Sequence, residues 1–197
     1  MAIRLERTIL VSRTYQLDYR PNETNAFDKN NFSHAYIRPL MAEQVVDVLN
    51  AALGVDERFN AEGAPEGTRM IEVGSSRLLN PNLAYALRIF GRPPRTTACD
   101  CERAMEPALP QILFRMTDQS VMAKFTAANG RGATLAKSKL TDEELADELF
   151  LAALARFPKP DERADAVKHL TEAKTRAEGI TDVLWALVNT REFILNH

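Results

Sequence analysis

The chain is poor in the residues from which small reactive sites are most often built. Its 197 residues include two cysteines, three histidines and one tryptophan. No second cysteine pair exists, so a four-thiolate zinc site is excluded, and only His34, His169 and His197 remain to complete a mixed one. A run of about 18 apolar residues, the minimum for a membrane-spanning helix, is also missing. Neither sign of charge is in excess: 25 Lys+Arg stand against 27 Asp+Glu, a net charge of -2. A dedicated nucleic-acid binder would show a basic excess or stripe. No Walker loop, dinucleotide fingerprint, His-Glu-x-x-His helix or nucleophile elbow occurs, so no cofactor is expected and no catalytic residue stands out.

What is present is ordinary globular material, with 45% hydrophobic residues. The length suits one domain of ordinary size, or two very small ones, and the reading adopted is a single helical domain over residues 1–197. Charges at Arg4 and Glu6 interrupt what would be the apolar centre of a signal peptide, so no export signal is visible. The first apolar residue follows no cap, as in a piece cut from a longer protein.

The periodicity predicts an all-α fold: an irregular bundle of seven or eight short helices with long loops and at most one short strand pair. A first amphipathic helix spans residues 3–16, and a long loop covers 18–40. Met41, Val45, Val48, Leu49 and Ala52 recur at helical spacing, with Gly54 placed as a C-terminal cap. Residues 70–73 read as a short strand or extended segment. Asn80-Pro81 opens a helix that stops at Gly91. Two short helices follow over 107–114 and 119–127. Thr141 and Glu144 form a capping box for a helix to Arg156, which Pro158 and Pro160 break. Further helices cover 161–173 and 180–188, the second carrying Trp185 as a core residue. Thr190 caps a last turn through Phe193 and Leu195.

Cys99-Asp100-Cys101 is the sharpest candidate for chemistry. Two thiols at this spacing on an extended segment project to the same side, about 6.6 Å apart at the backbone. That is near the upper limit for a disulfide, so a bond between them would be strained and easily reduced. The pair reads as structural thiols, as a redox couple, or as half of a metal site, in that order. Arg92, Arg95, Asp100, Glu102 and Arg103 surround it. The arginines would lower a thiol pKa, or the five residues would form a salt-bridge cluster that holds the loop. The second reading is preferred because no neighbouring histidine offers a general base. No metal set is assigned. The run Asp142-Glu143-Glu144, with Asp147 and Glu148, lacks the alternating ligands of a calcium loop and reads as a solvated first turn. Asn129-Gly130-Arg131-Gly132 is weak as a phosphate cradle and adequate as a helix terminus. His34 has no triad pattern around it.

The order of several motifs carries more information. Residues 8–16 read Thr-Ile-Leu-Val-Ser-Arg-Thr-Tyr-Gln and residues 38–44 Arg-Pro-Leu-Met-Ala-Glu-Gln. Residues 90–95 read Phe-Gly-Arg-Pro-Pro-Arg, residues 99–103 Cys-Asp-Cys-Glu-Arg, and the chain ends Leu-Trp-Ala-Leu-Val-Asn-Thr-Arg-Glu-Phe-Ile-Leu-Asn-His. Over essentially its whole length the chain resembles the planctomycete-specific PSD-one domain, a family of unknown function. The resemblance implies the C-terminal part of a large exported protein of the periplasm or cell surface, with the signal peptide on an upstream portion. It implies upstream neighbours in the same polypeptide: a second planctomycete domain, often a cytochrome c-like domain, and sometimes carbohydrate-binding modules. It also implies that this chain begins inside the usual domain. Arg115-Met116-Thr117-Asp118 departs from the usual Asn-Gly-Asp, and no Cys-x-x-Cys-His occurs, so any haem belongs to another domain.

Three functions are weighed. The first is a docking module that binds upstream domains of the same polypeptide or another envelope protein, with no nucleic acid and no membrane span. The second is a thiol–disulfide component in which Cys99 and Cys101 serve a cytochrome-like domain. The third is glycan binding, for which Tyr15, Tyr19, Phe27, Phe32 and Tyr36 are the available aromatics.

Overall fold

A computed structural model describes residues 2–57, 59, 65, 67–73, 80–92 and 109–196. Among these the fold is all-α, with ten helices, eight of them of seven residues or more, and one two-stranded antiparallel pair. The chain divides into two compact units, one of residues 1–39 and 195–197, the other of residues 40–194.

The first unit opens with α1 (Ala2–Leu10), shorter than its periodicity predicts. Ser12 Oγ donates to the Ile9 carbonyl at 2.7 Å and Gln16 Nε2 to that of Leu10 at 3.1 Å. These side chains satisfy carbonyls that a continuing helix would have used. Asp28 organises the loop that follows, accepting from the Ser33 hydroxyl and from the backbone amides of Asn30, Asn31 and Ser33. These donors, the Ser33 hydroxyl first, hold its carboxyl far below the usual carboxylate range. The strand pair joins β1 (Arg38–Pro39) to β2 (Leu195–Asn196), with Arg38 opposite Asn196.

The second unit holds α2 (Ala42–Leu53), α3 (Met70–Val73), α4 (Pro81–Ile89), α5 (Leu109–Thr117), α6 (Gln119–Phe125), α7 (Arg131–Ala136), α8 (Asp142–Leu154), α9 (Pro160–Glu172) and α10 (Arg176–Val188). Several caps are as the sequence predicts. Gly54 ends α2 at φ 63°. Asn80 Oδ1 accepts from the amides of Asn82 and Leu83, and Thr141 and Glu144 exchange both capping bonds. Thr190 Oγ1 accepts from the Phe193 amide at 3.3 Å, opening the 3-10 turn Glu192–Ile194.

One expectation fails here. Residues 70–73 are a helical turn, not a strand, because Asp47 of α2 caps them from outside: its carboxylate accepts from the amides of Met70 at 2.6 Å and Ile71 at 2.9 Å. The segment after Gly130 is helical too, as α7. A Cβ on Gly130 would lie 3.1 Å from the Ala127 carbonyl oxygen and 3.2 Å from that of Leu53. The absence of a Cβ thus allows close packing here. Arg131 uses the space, donating from Nε to the Ala52 carbonyl at 2.8 Å, from Nη2 to that of Ala51 at 3.2 Å, and from Nη1 to Glu148 at 2.9 Å.

Core residues recur at i, i+3 and i+4. Ala42, Val45, Val46, Met70, Val73, Leu83, Leu87 and Phe90 form one cluster, while Leu145, Leu149, Ile180, Leu184 and Val188 are fully buried between α8 and α10. Helix α5 is turned the other way. Gln111 and Arg115 are buried, while Leu109, Ile112, Leu113 and Met116 form an exposed stripe. The acidic run at the start of α8 is not simply solvated. Asp142 pairs with Arg176 at 3.3 Å and Asp147 with Arg163 at 2.6 Å.

Candidate functional site

Cys99, Cys101, Arg95, Asp100, Glu102 and Arg103 lie outside the described residues, as does His197. Arg92 is described. It is buried, and its Nε lies 3.4 Å from the carboxylate of Glu43, itself buried in the first turn of α2. Among the described residues, no three His, Cys, Asp or Glu side chains converge as a metal set, and no helix is long and apolar enough to cross a membrane. His34 stacks edge-on against Tyr36 at 5.1 Å, and Phe32 lies 5.4 Å from the same ring. Of the five aromatics in that region, Tyr15, Phe27 and Phe32 are exposed and Tyr19 and Tyr36 half-buried.

A groove of about 600 Å³ is formed by α8, α9, α10 and the 3-10 turn. The volume falls within the range of small-ligand pockets. Its floor is apolar. Phe150 and Leu154 come from successive turns of α8, Ala166 from α9, and Val183 and Leu187 from α10. The core of α10 is already filled by Ile180, Val183, Leu184, Leu187 and Val188, which leaves Trp185 on the flank of the helix. Trp185 is therefore half-buried, in place of the core position expected, and it lines the groove together with the exposed Ala186. On its other side a hollow of about 500 Å³, lined by Met122, Phe125 and Thr181 among others, also meets Asp182 and Trp185. The indole thus stands as a partition between two depressions.

Polar groups ring the groove. Arg156 holds one end: Nη1 and Nη2 donate to the two carboxylate oxygens of Glu162 at 2.7 and 2.8 Å, and Nε and Nη2 to those of Glu192 at 2.6 and 2.8 Å. The same guanidinium lies 5.6 Å from the centre of the Phe150 ring. Hydrogen bonds from Arg156, helped by the Lys159 amide, lower the Glu162 pKa to about 2, while the two carboxylates raise that of Arg156. At the other end His169 Nε2 meets Asp182 Oδ2 at 3.1 Å, with half of each side chain in water. Asp165, one turn before His169 on α9, is exposed on the same rim. Among the described residues, four carboxylates thus surround the groove with one guanidinium and one imidazole. That arrangement can bind and orient a ligand; the apolar floor supplies burial and the rim supplies charge.

The sequence carried a usable signal for this site that its reading missed. The period of α10 leaves Trp185 off the core face, and Asp182 precedes it by three residues, so both fall on one side of the helix.

No curated protein and no solved structure matches the chain. A family model does, over residues 3–170. The chain belongs to the PSD1 family, described as proteins of unknown function (DUF1553).

Proposed function

We propose that this PSD1 domain is a helical docking module that receives a segment of a neighbouring protein surface in the groove between α8, α9 and α10. The observation that carries this reading is Trp185, a large amphipathic side chain left half-buried on the wall of an apolar groove although α10 fills its core face without it. Aromatic side chains in such positions dominate the energetics of protein interfaces. The partner set follows from the family resemblance: upstream domains of the same polypeptide, or another envelope protein, in an extracytoplasmic setting. A thiol–disulfide role for Cys99 and Cys101 rests on their spacing alone.

The test is a photoreactive residue in place of Ala186, inside the groove, with the exposed Glu143 of α8 as control. In cells that make the protein, irradiation is expected to give a discrete cross-linked polypeptide from position 186 and none from position 143. Equal labelling from both positions, or none from 186, overturns the docking reading.

A further inference from the structure

We infer that the segment this groove takes is basic: a stretch of chain in which lysine or arginine side chains alternate with apolar ones. The inference rests on the docking reading and names the chemistry of its occupant. Charge decides it. The rim carries the carboxylates of Glu162, Asp165, Asp182 and Glu192, and among the described residues the cations facing the same space are Arg156 and His169. Glu162 and Glu192 are both bonded to Arg156, so the oxygens open to an occupant are those of Asp165 and Asp182. Asp182 has only the half-exposed imidazole of His169, and Asp165 forms no ion pair with any described residue. An acidic segment would bring like charge onto this rim, which costs affinity and slows encounter. A wholly polar one would leave the floor of Phe150, Leu154 and Leu187 uncovered. A basic, partly apolar segment satisfies both surfaces. Its ammonium or guanidinium groups reach the free oxygens of Asp165 and Asp182, a cation lies over the face of Trp185, and its apolar side chains cover the floor.

Trp185 is the single tryptophan of the chain, so its fluorescence reports on the groove and on the hollow behind it, and the Asp165 substitution, which lines the groove and not the hollow, separates the two. The experiment titrates the full chain with a ten-residue leucine–lysine peptide and, separately, with its leucine–glutamate counterpart. The lysine peptide is expected to give a saturable shift of the Trp185 emission that weakens as ionic strength rises, because these carboxylates are exposed. The combined Asp165→Lys and Asp182→Lys variant is expected to bind it about tenfold more weakly or worse, while Asp56→Lys, an exposed residue that does not line the groove, binds as the parent does. Both aspartates are exposed, and circular dichroism confirms that the variant keeps its helices. Equal binding of the glutamate peptide, or an unchanged affinity in the double variant, overturns the basic-segment inference and leaves docking intact. If neither peptide moves the emission, the inference falls, and cross-linking at position 186 decides the docking reading separately.

Discussion

Arg115 of α5 closes α10: its Nη1 donates to the carbonyl oxygen of Val188 at 2.6 Å and to that of Thr190 at 3.3 Å. The side chain is 3% exposed, and among the described residues no carboxylate pairs with it. Its counter-charge is the negative end of the α10 dipole, where the last carbonyls have no intrahelical partner. Burial lowers its pKa, yet a guanidinium stays protonated at any pH at which the protein folds.

The Arg115 cap can be measured. Arg115→Met keeps the length of the side chain and leaves the carbonyls of Val188 and Thr190 unsatisfied, which should cost about 1–3 kcal/mol. Arg115→Lys should recover only part of this, since an ammonium is more strongly hydrated than a guanidinium and costs more to bury. Urea denaturation with an unchanged slope gives the difference. An unaltered midpoint in Arg115→Met would show that the cap contributes nothing.

Acid stability should depend on Glu162. Its pKa falls from the ordinary 4.5 to about 2 on folding, so the unfolded chain binds its proton first. The contribution is therefore complete above pH 4.5 and disappears as the pH falls towards 2. At 28% exposure, solvent screening keeps it modest. The stability difference between the parent and Glu162→Gln should be constant at neutral pH and shrink steadily below pH 4.5. A difference that does not change with pH would remove the Arg156 pairing as its source.

Asp47 should control α3. Replacing it by alanine removes both acceptors for the amides of Met70 and Ile71, a loss of about 1–2 kcal/mol in local terms. Hydrogen exchange at those two amides should accelerate accordingly, while α2, which Asp47 does not cap, keeps its protection. Unchanged exchange would mean that the turn holds itself.

Gly54→Ala forces a Cβ into the left-handed region at φ 63° and places it 3.1 Å from Arg131. The backbone strain alone is about 1–2 kcal/mol, which for a chain of this size lowers the melting temperature by roughly 2–8 °C. A melt within one degree of the parent would show that the turn relaxes freely.

These sites also mark what could be read from the sequence. The caps at Gly54, Asn80 and Thr141 were legible because donor and acceptor lie within three residues of one another. The turn at 70–73 was not, since Asp47 reaches it from 23 residues away and four residues of mixed character suit a strand equally well. Helix α7 escaped because it opens on glycines, which local propensity counts against a helix. Helix α10 starts four residues before the apolar pattern that marks it, because its first turn, Arg-Ala-Glu-Gly, carries no large apolar residue and is capped by Thr175. The groove is a product of three helices meeting. Its residues were visible singly, and their convergence was not.

Arg131 has one further effect. A single guanidinium binds the end of α2 through Ala51 and Ala52 and holds Glu148 in the middle of α8. Neither helix can fray at that junction without breaking bonds that also secure the other. The two should therefore open as one cooperative unit, with matching exchange free energies at the end of α2 and the centre of α8. Removing this side chain would turn one melting event into two.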